Sequence, residues 1–232
     1  MFPPIFITGI GTGVGKTIVA AIITEALQTD YWKPVEAGTE DGTDALQVKD
    51  FITNTASVIH SEVYNLSLAA SPHIAAQKDN VKIDLDVIVN KYEQLVIGNS
   101  QSAMGSRQLP TANCQLIMEG AGGLLVPLNE NEFVIDLIEK LKAKVILVSR
   151  NYLGSINHSL LTAAVCKQRK LDVIGWIFND QYMNYEDEIV QWSGYRKIAS
   201  IPFTKNINSL FIKQQADKYK NVFATLLMQN EG

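Results

Sequence analysis

Cysteine is close to absent, with only Cys114 and Cys166 in 232 residues. Each stands inside an apolar run, and without a second pair nearby there is neither a disulfide framework nor a thiolate metal site. Both are expected to be buried thiols in a reducing compartment. Clustered basic charge is missing too. The 20 lysines and arginines are scattered among 24 acidic residues, for a net charge of −4, so no nucleic acid and no membrane surface is expected as a partner. Long apolar runs are lacking as well. None reaches the ~18 residues that span a bilayer, and Met1-Phe2-Pro3-Pro4 leads straight into an apolar strand without a basic leader or cleavage site. These absences together predict a cytoplasmic protein. No internal repeat or low-complexity tract interrupts the chain, and with 47% of its residues apolar it is long enough to bury a full core as one domain over residues 1–232.

What is present is an alternation. Apolar runs of strand length at 5–8, 115–118, 145–149, 173–178 and 198–201 are separated by stretches that can hold helices. That order predicts an α/β fold, a mostly parallel sheet with helices on both faces. Residues 31–35 suggest one further strand, and 44–52 a helix with an aspartate near its cap. Val87, Ile88 and Leu95 recur at helical spacing in a helix over 85–97, and the polar segment 98–111 reads as an inserted loop. A last helix over Ser209–Met228 is expected to pack through Leu210, Phe211, Phe223 and Leu227.

The strongest local signal is Gly9-Ile10-Gly11-Thr12-Gly13-Val14-Gly15-Lys16-Thr17, placed between the run 5–8 and a helical run over 18–27. A strand that feeds a glycine-rich turn and then a helix aims consecutive backbone N–H groups, and the helix's positive end, at a phosphate. Lys16 is expected to reach the β- and γ-phosphates, and the Thr17 hydroxyl to take part in a magnesium site. Five residues separate Gly9 from Gly15 where the common motif has four, so the loop must bulge.

Metal-assisted phosphoryl transfer needs one or two carboxylates beside Thr17. Glu119 follows Leu116-Ile117-Met118, and Gly120-Ala121-Gly122-Gly123 after it is expected to turn away and end the strand. The carboxyl ends of parallel strands face the ligand crevice, which puts Glu119 near the phosphate loop. Asp44 is the second candidate, either as a metal ligand or as a plain helix cap. Lys33, ahead of Pro34, is a candidate second cation for charge developing on a transferred phosphoryl group.

Taken in order, these segments resemble the dethiobiotin synthetases. The resemblance spans nearly the whole chain and rests on 9–17, Lys33-Pro34-Val35 with Gly38, Asp44-Ala45-Leu46, Ser71-Pro72-His73, Glu119-Gly120-Ala121-Gly122-Gly123, Gly154-Ser155-Ile156-Asn157-His158, and Gly175-Trp176 with Asn179-Asp180. It implies a P-loop NTPase fold, ATP as cosubstrate with Mg2+, and 7,8-diaminononanoate and CO2 or bicarbonate as partners. Thr17, Asp44 and Glu119 would hold the metal, and Gly13, Val14, Gly15, Lys16, Gly120, Ala121 and Gly122 would surround the nucleotide. The implied reaction takes CO2 onto the diamine as a carbamate, which accepts the γ-phosphoryl group of ATP to become a mixed anhydride before the second amine closes the ring. Lys33 would be the catalytic lysine, with Lys16 and Thr12 beside it, and Thr12 would help place the carbamate. Asn179 would read the adenine, with the stretch after Pro202 against the same base. The resemblance also implies a homodimer in which Gly154, Ser155 and Asn157, at a helix start, receive the substrate's carboxylate across the interface.

Some positions depart from that pattern. Ala37 stands where many members carry a serine that contacts substrate, which leaves the hydroxyl missing or supplied by Thr39. Gly11 and Gly13 replace residues that are often acidic. His73, after Ser-Pro, reads as a structural hydrogen-bonding residue. The rival readings are a partitioning or cell-division-site ATPase switch, a GTPase and an amidotransferase-type synthetase. The switch carries a lysine early in the loop where this chain has Gly11. The GTPase would rest on Asn90-Lys91-Tyr92-Glu93, which reads instead as a solvated helical face, and the amidotransferase needs a further domain for which there is no room.

Overall fold

The computed structural model describes residues 3–39, 42–102, 116–180 and 183–228. In chain order the elements are β1 (Ile5–Gly9), α1 (Lys16–Leu27), β2 (Tyr31–Trp32), β3 (Val35–Ala37), α2 (Asp44–Phe51), β4 (Ile59–His60), β5 (Tyr64–Leu66), α3 (Pro72–Lys78), α4 (Leu85–Ser102), β6 (Ile117–Gly123), α5 (Val134–Lys140), β7 (Lys144–Arg150), α6 (Ser155–Gln168), β8 (Asp172–Asn179), α7 (Glu186–Ser193), β9 (Lys197–Ile201) and α8 (Ser209–Met228). Seven strands form one sheet in the order β4-β2-β6-β1-β7-β8-β9, and every pairing in it is parallel. The fold is therefore the expected α/β class, a doubly covered parallel sheet.

Period-two alternation explains the two-sided core. In β1 the side chains of Ile5 and Ile7 join one apolar cluster, with α1, α8 and Ile146, while Phe6 between them joins the other, with Met118, Val145 and Trp176. All three β1 side chains are buried, as a central parallel strand requires. No helix among the described residues is long and apolar enough to cross a membrane.

Several sequence expectations need correction. The single strand over 31–35 is two short strands in different sheets, β2 in the main one and β3 paired with β5. Pro34 has no N–H for the ladder, and its carbonyl instead accepts from Val63 and Tyr64 N–H at 2.9 and 3.0 Å. Lys33 thus falls at the break. β6 does not end at Glu119 but continues to Gly123, which pairs with Gly9. Residues 98–102, expected as loop, extend α4, and the rest of that stretch lies outside the described residues, as do Gln115 and Cys114. Cys166 is buried as expected. On α8 the buried stripe runs through Ile212, Ala216, Phe223 and Leu226 while Leu210 is exposed; nothing is described for the Leu227 side chain. On α4 the expected apolar Val87 is exposed and Tyr92, expected on a solvated face, is buried.

Candidate active site

The phosphate loop crosses the carboxyl end of the sheet at β1, which lies between β6 and β7. Gly13 and Gly15 take φ values of +71° and +89°, left-handed conformations open to glycine at little cost. Gly15 is also constrained by space, since a Cβ there would lie 2.4 Å from Asn179 Nδ2. That amide nitrogen donates to the Val14 and Gly15 carbonyls at 2.7 and 3.3 Å, tying the loop to the end of β8. No side chain caps the start of α1, so its first N–H groups are left for an anion. The buried Lys16 ammonium folds back to the Gly11 carbonyl at 3.1 Å, bridging the loop as a cation over a phosphate cradle would.

Thr17 Oγ1 donates to Glu119 Oε1 at 3.0 Å, and Tyr31 OH donates to Glu119 Oε2 at 2.9 Å. Both carboxylate oxygens are thereby oriented. Lys33 Nζ donates to Glu36 Oε1 at 2.9 Å and to Asp44. Glu36 Oε2 in turn accepts from the Asp44 backbone N–H at 3.0 Å. Asp44 is not the cap of α2. That role belongs to Thr43, whose hydroxyl accepts from Leu46 N–H at 3.2 Å, so the Asp44 carboxylate is free to face the lysine.

Lys16, Thr17, Lys33, Glu36, Asp44 and Glu119 line one cavity of about 660 Å³. Burial pushes the Glu119 carboxyl up, Asp44 pushes it further, and Lys33, Lys16 and Tyr31 pull back, leaving its pKa raised to about 7. Burial works against the Lys33 ammonium, but Glu119, Asp44 and Glu36 outweigh it and hold its pKa above the ordinary lysine value. For Lys16 burial wins, and its pKa is lowered. Two ammonium groups and three carboxyl groups thus share one pocket in which each charge shifts its neighbours.

The cavity gathers most of the expected residues: Thr12, Gly13, Gly15, Lys16, Thr17, Lys33, Ala37, Asp44, Glu119, Ala121 and Gly122 all line it. Gly120 does not. It faces the core, where a Cβ would meet Phe6 at 2.6 Å. Val14, Asn179 and Pro202 line an adjoining, narrower cavity of about 150 Å³ with Phe203 and Phe211. Gly154, Ser155 and Asn157 line neither. Ser155 is buried, its Oγ within 2.7 Å of Tyr185 OH and accepting from Tyr152 N–H at 3.3 Å, while Asn157 is exposed. Tyr152 and Leu153, just before α6, line a third cavity of about 790 Å³ that also touches Thr12 and Gly13. His73 Nδ1 lies 3.1 Å from Ser71 Oγ, in the structural role expected of it. Sequence reasoning missed Tyr31 and Glu36. Their only sequence signals were a hydroxyl two residues before Lys33 and a carboxylate three residues after it.

A parallel sheet whose central strand enters a glycine-rich loop, with a lysine and threonine opening the next helix, defines a P-loop nucleotide-binding protein. A family profile described as an AAA domain matches residues 4–209, and the chain is 44% identical over 216 residues to an ATP-dependent dethiobiotin synthetase of Cytophaga hutchinsonii, covering 92% of this chain and 95% of that one. The chain belongs to the ATP-dependent dethiobiotin synthetase family. Two further members, from Christiangramia forsetii and Rhodopseudomonas palustris, are 39% and 35% identical, each match covering 93% of this chain and 95% and 100% of the relatives. Among solved structures it is similar to a ParA family ATPase from Chlorobium tepidum, with a TM-score of 0.56 at 14% identity over 98% of this chain and 99% of that one. A MinC:MinD cell division complex from Aquifex aeolicus gives 0.58 at 15%, over 100% and 98%. At those identities the likeness shows the fold alone.

Proposed function

We propose that this chain joins 7,8-diaminononanoate and CO2 at the expense of ATP, giving dethiobiotin, ADP and phosphate. The observation that carries the reading is Lys33, a buried ammonium in the same cavity as Lys16, Thr17 and Glu119. One substrate amine adds to the CO2 carbon and loses a proton to give a carbamate. A carbamate oxygen attacks the γ-phosphorus as the bond to ADP breaks. The second amine then attacks the carbamoyl carbon, the carbon–oxygen bond breaks, phosphate leaves and a proton is released.

Because its neighbours hold Lys33 protonated, it serves as fixed positive charge for the carbamate and the transferred group, not as a base. Lys16 offsets charge on the β- and γ-phosphates, and Thr12, at the cavity mouth, helps place the carbamate. The apolar walls of the narrow cavity suit a purine ring, with Asn179 and the stretch after Pro202 beside it.

The hard oxygens of Thr17, Glu119 and Asp44 fit Mg2+, which takes one or two carboxylates and completes its shell with water and phosphate. No cluster of three His, Cys, Asp or Glu suited to a metal occurs among the described residues. Bound there, it would neutralise charge on the phosphate oxygens. Asp44 would then have to share itself between the metal and Lys33. The same reading takes residues 1–232 as one synthetase domain, acting in the cytoplasm as a homodimer.

The test is phosphate release from ATP and magnesium with bicarbonate, with and without the diamine, alongside mass detection of dethiobiotin. Diamine-dependent release matching dethiobiotin formed is the expected result. Hydrolysis indifferent to the diamine, without dethiobiotin, would return the site to a nucleotide switch.

A further inference from the structure

Lys33 has two carboxylate partners with different obligations. Asp44 opens α2 and faces the cavity, where the proposed metal competes for it. Glu36 is 7% exposed, and both of its oxygens are used within the fold. Oε1 accepts from Lys33 Nζ at 2.9 Å and from Ala37 N–H at 3.2 Å, and Oε2 accepts from Asp44 N–H at 3.0 Å. One carboxylate therefore ties the lysine head, the strand β3 and the first turn of α2 together. A lysine stem is long and its ammonium has three rotatable donors, so an aim at a reacting group must be imposed from outside. The break at Pro34 frees Lys33 from the sheet ladder, and Glu36 lies on the first strand after that break.

We infer that Glu36 is a positioning residue for this reaction, anchoring the Lys33 ammonium toward the cavity when Asp44 turns to the metal and nucleotide. The inference rests on the reading of the reaction given above. Glu36 touches neither phosphate nor carbamate in this role and acts through Lys33. A carboxylate in direct contact preserves the charge of the lysine and fixes its head at one point.

The test compares wild type with Glu36→Ala, Glu36→Gln, Lys33→Ala and the double variant E36A/K33A. Four readouts are needed: single-turnover dethiobiotin formation, ATP affinity, the KM for the diamine and the melting temperature. Glu36→Ala is expected to lower the rate about ten- to a hundredfold, by analogy with the loss of outer-shell partners that orient metal ligands, with ATP affinity changed less than about threefold. Glu36→Gln keeps the volume and an acceptor for Lys33 but sets a donor against the Asp44 N–H, so it should fold and fall between wild type and Glu36→Ala. In the Lys33→Ala background, removing Glu36 should cost little further rate, because the group it positions is already gone. Equal losses in both backgrounds, or a Glu36→Ala rate loss matched by an equal loss of ATP affinity, would assign Glu36 a merely structural role and overturn the inference. So would Glu36→Gln and Glu36→Ala enzymes with wild-type rates. Wild-type protein that makes no dethiobiotin would instead overturn the reaction itself, and the inference with it.

Discussion

Glu119 stands under opposing forces, since its burial favours the neutral form while Lys33 and Lys16 favour the anion. With a pKa near 7 against 4.5 for the ordinary carboxyl, the folded ligand-free protein retains a proton that the unfolded chain releases. Folding stability therefore falls as pH rises from about 4.5 through about 7, and the loss is complete above that. Glu119→Gln removes the titration while keeping the volume. It should be more stable than wild type at pH 8, by on the order of 1–3 kcal/mol, with the difference shrinking toward pH 5. Urea unfolding at the two pH values measures this, and parallel curves for the two proteins would contradict it. The same variant should lose turnover. Lys33→Ala should lower kcat by more than it weakens ATP binding, and steady-state kinetics set against nucleotide titration separates the two effects; a loss confined to ATP affinity would remove Lys33 from the transferred group. At this scale the sequence pointed to Lys16 and Thr17 because strand, loop and helix adjoin along the chain, and to Glu119 because it follows a second apolar run just before a glycine-rich stretch. Glu36 and Tyr31 stayed hidden because their partners are set by the departure of β3 from the main sheet and by the pairing of β2 with β6.

The elements that hold the site were legible where caps and period were local. Helices at 44–51 and 209–228 follow from their flanks, whereas the split of β2 from β3 depends on where Pro34's carbonyl finds donors, and the extension of α4 defied a polar composition. The attachment of α1 was not legible at all. Glu25, near the end of α1, accepts from Thr53 N–H and Oγ1 at 2.7 and 2.6 Å and from Asn54 N–H and Nδ2, both at 3.0 Å. This clamps the far end of the phosphate-binding helix to the turn after α2. Partial burial pushes the Glu25 carboxyl up, but the bonds from Thr53 and Asn54 outweigh it and hold the pKa below the ordinary range. Its contribution is present above pH ~4.5 and is lost as pH falls through the depressed value. Glu25→Ala should destabilise by about 1–2 kcal/mol at pH 7, kept modest by solvent screening. The gap in melting temperature from wild type should narrow as pH falls below about 4.5. A gap of unchanged size under acid conditions would assign the effect to packing and not to the carboxylate.

For the whole molecule, alternation of runs in the sequence predicted a parallel sheet but not its order. The observed order brings β6 beside β1, with Glu119 opposite Ile7, and so joins Thr17 to a carboxylate 102 positions away. The start of α6 is left outside that cavity. Leu125, Leu153 and Leu161 are 57%, 89% and 58% exposed, and Leu125 and Leu161 line a further cavity with His158. The homodimer proposed above would give such exposed side chains beside α6 a second copy as cover. If each site takes Lys33 from one subunit and the α6 start from the other, two differently damaged chains should rescue each other. Asn157→Asp suits this test, because a carboxylate in the first turn of a helix is compatible with folding yet repels a substrate carboxylate. In a mixture of Lys33→Ala and Asn157→Asp chains, half the dimers pair one of each, and each such dimer has one undamaged site. Co-refolded or co-expressed mixtures should then show roughly a quarter of wild-type activity, while each variant alone stays low. Activity that never exceeds the average of the two separate variants would mean that each chain completes its own site, and the substrate carboxylate would have to be sought within one subunit.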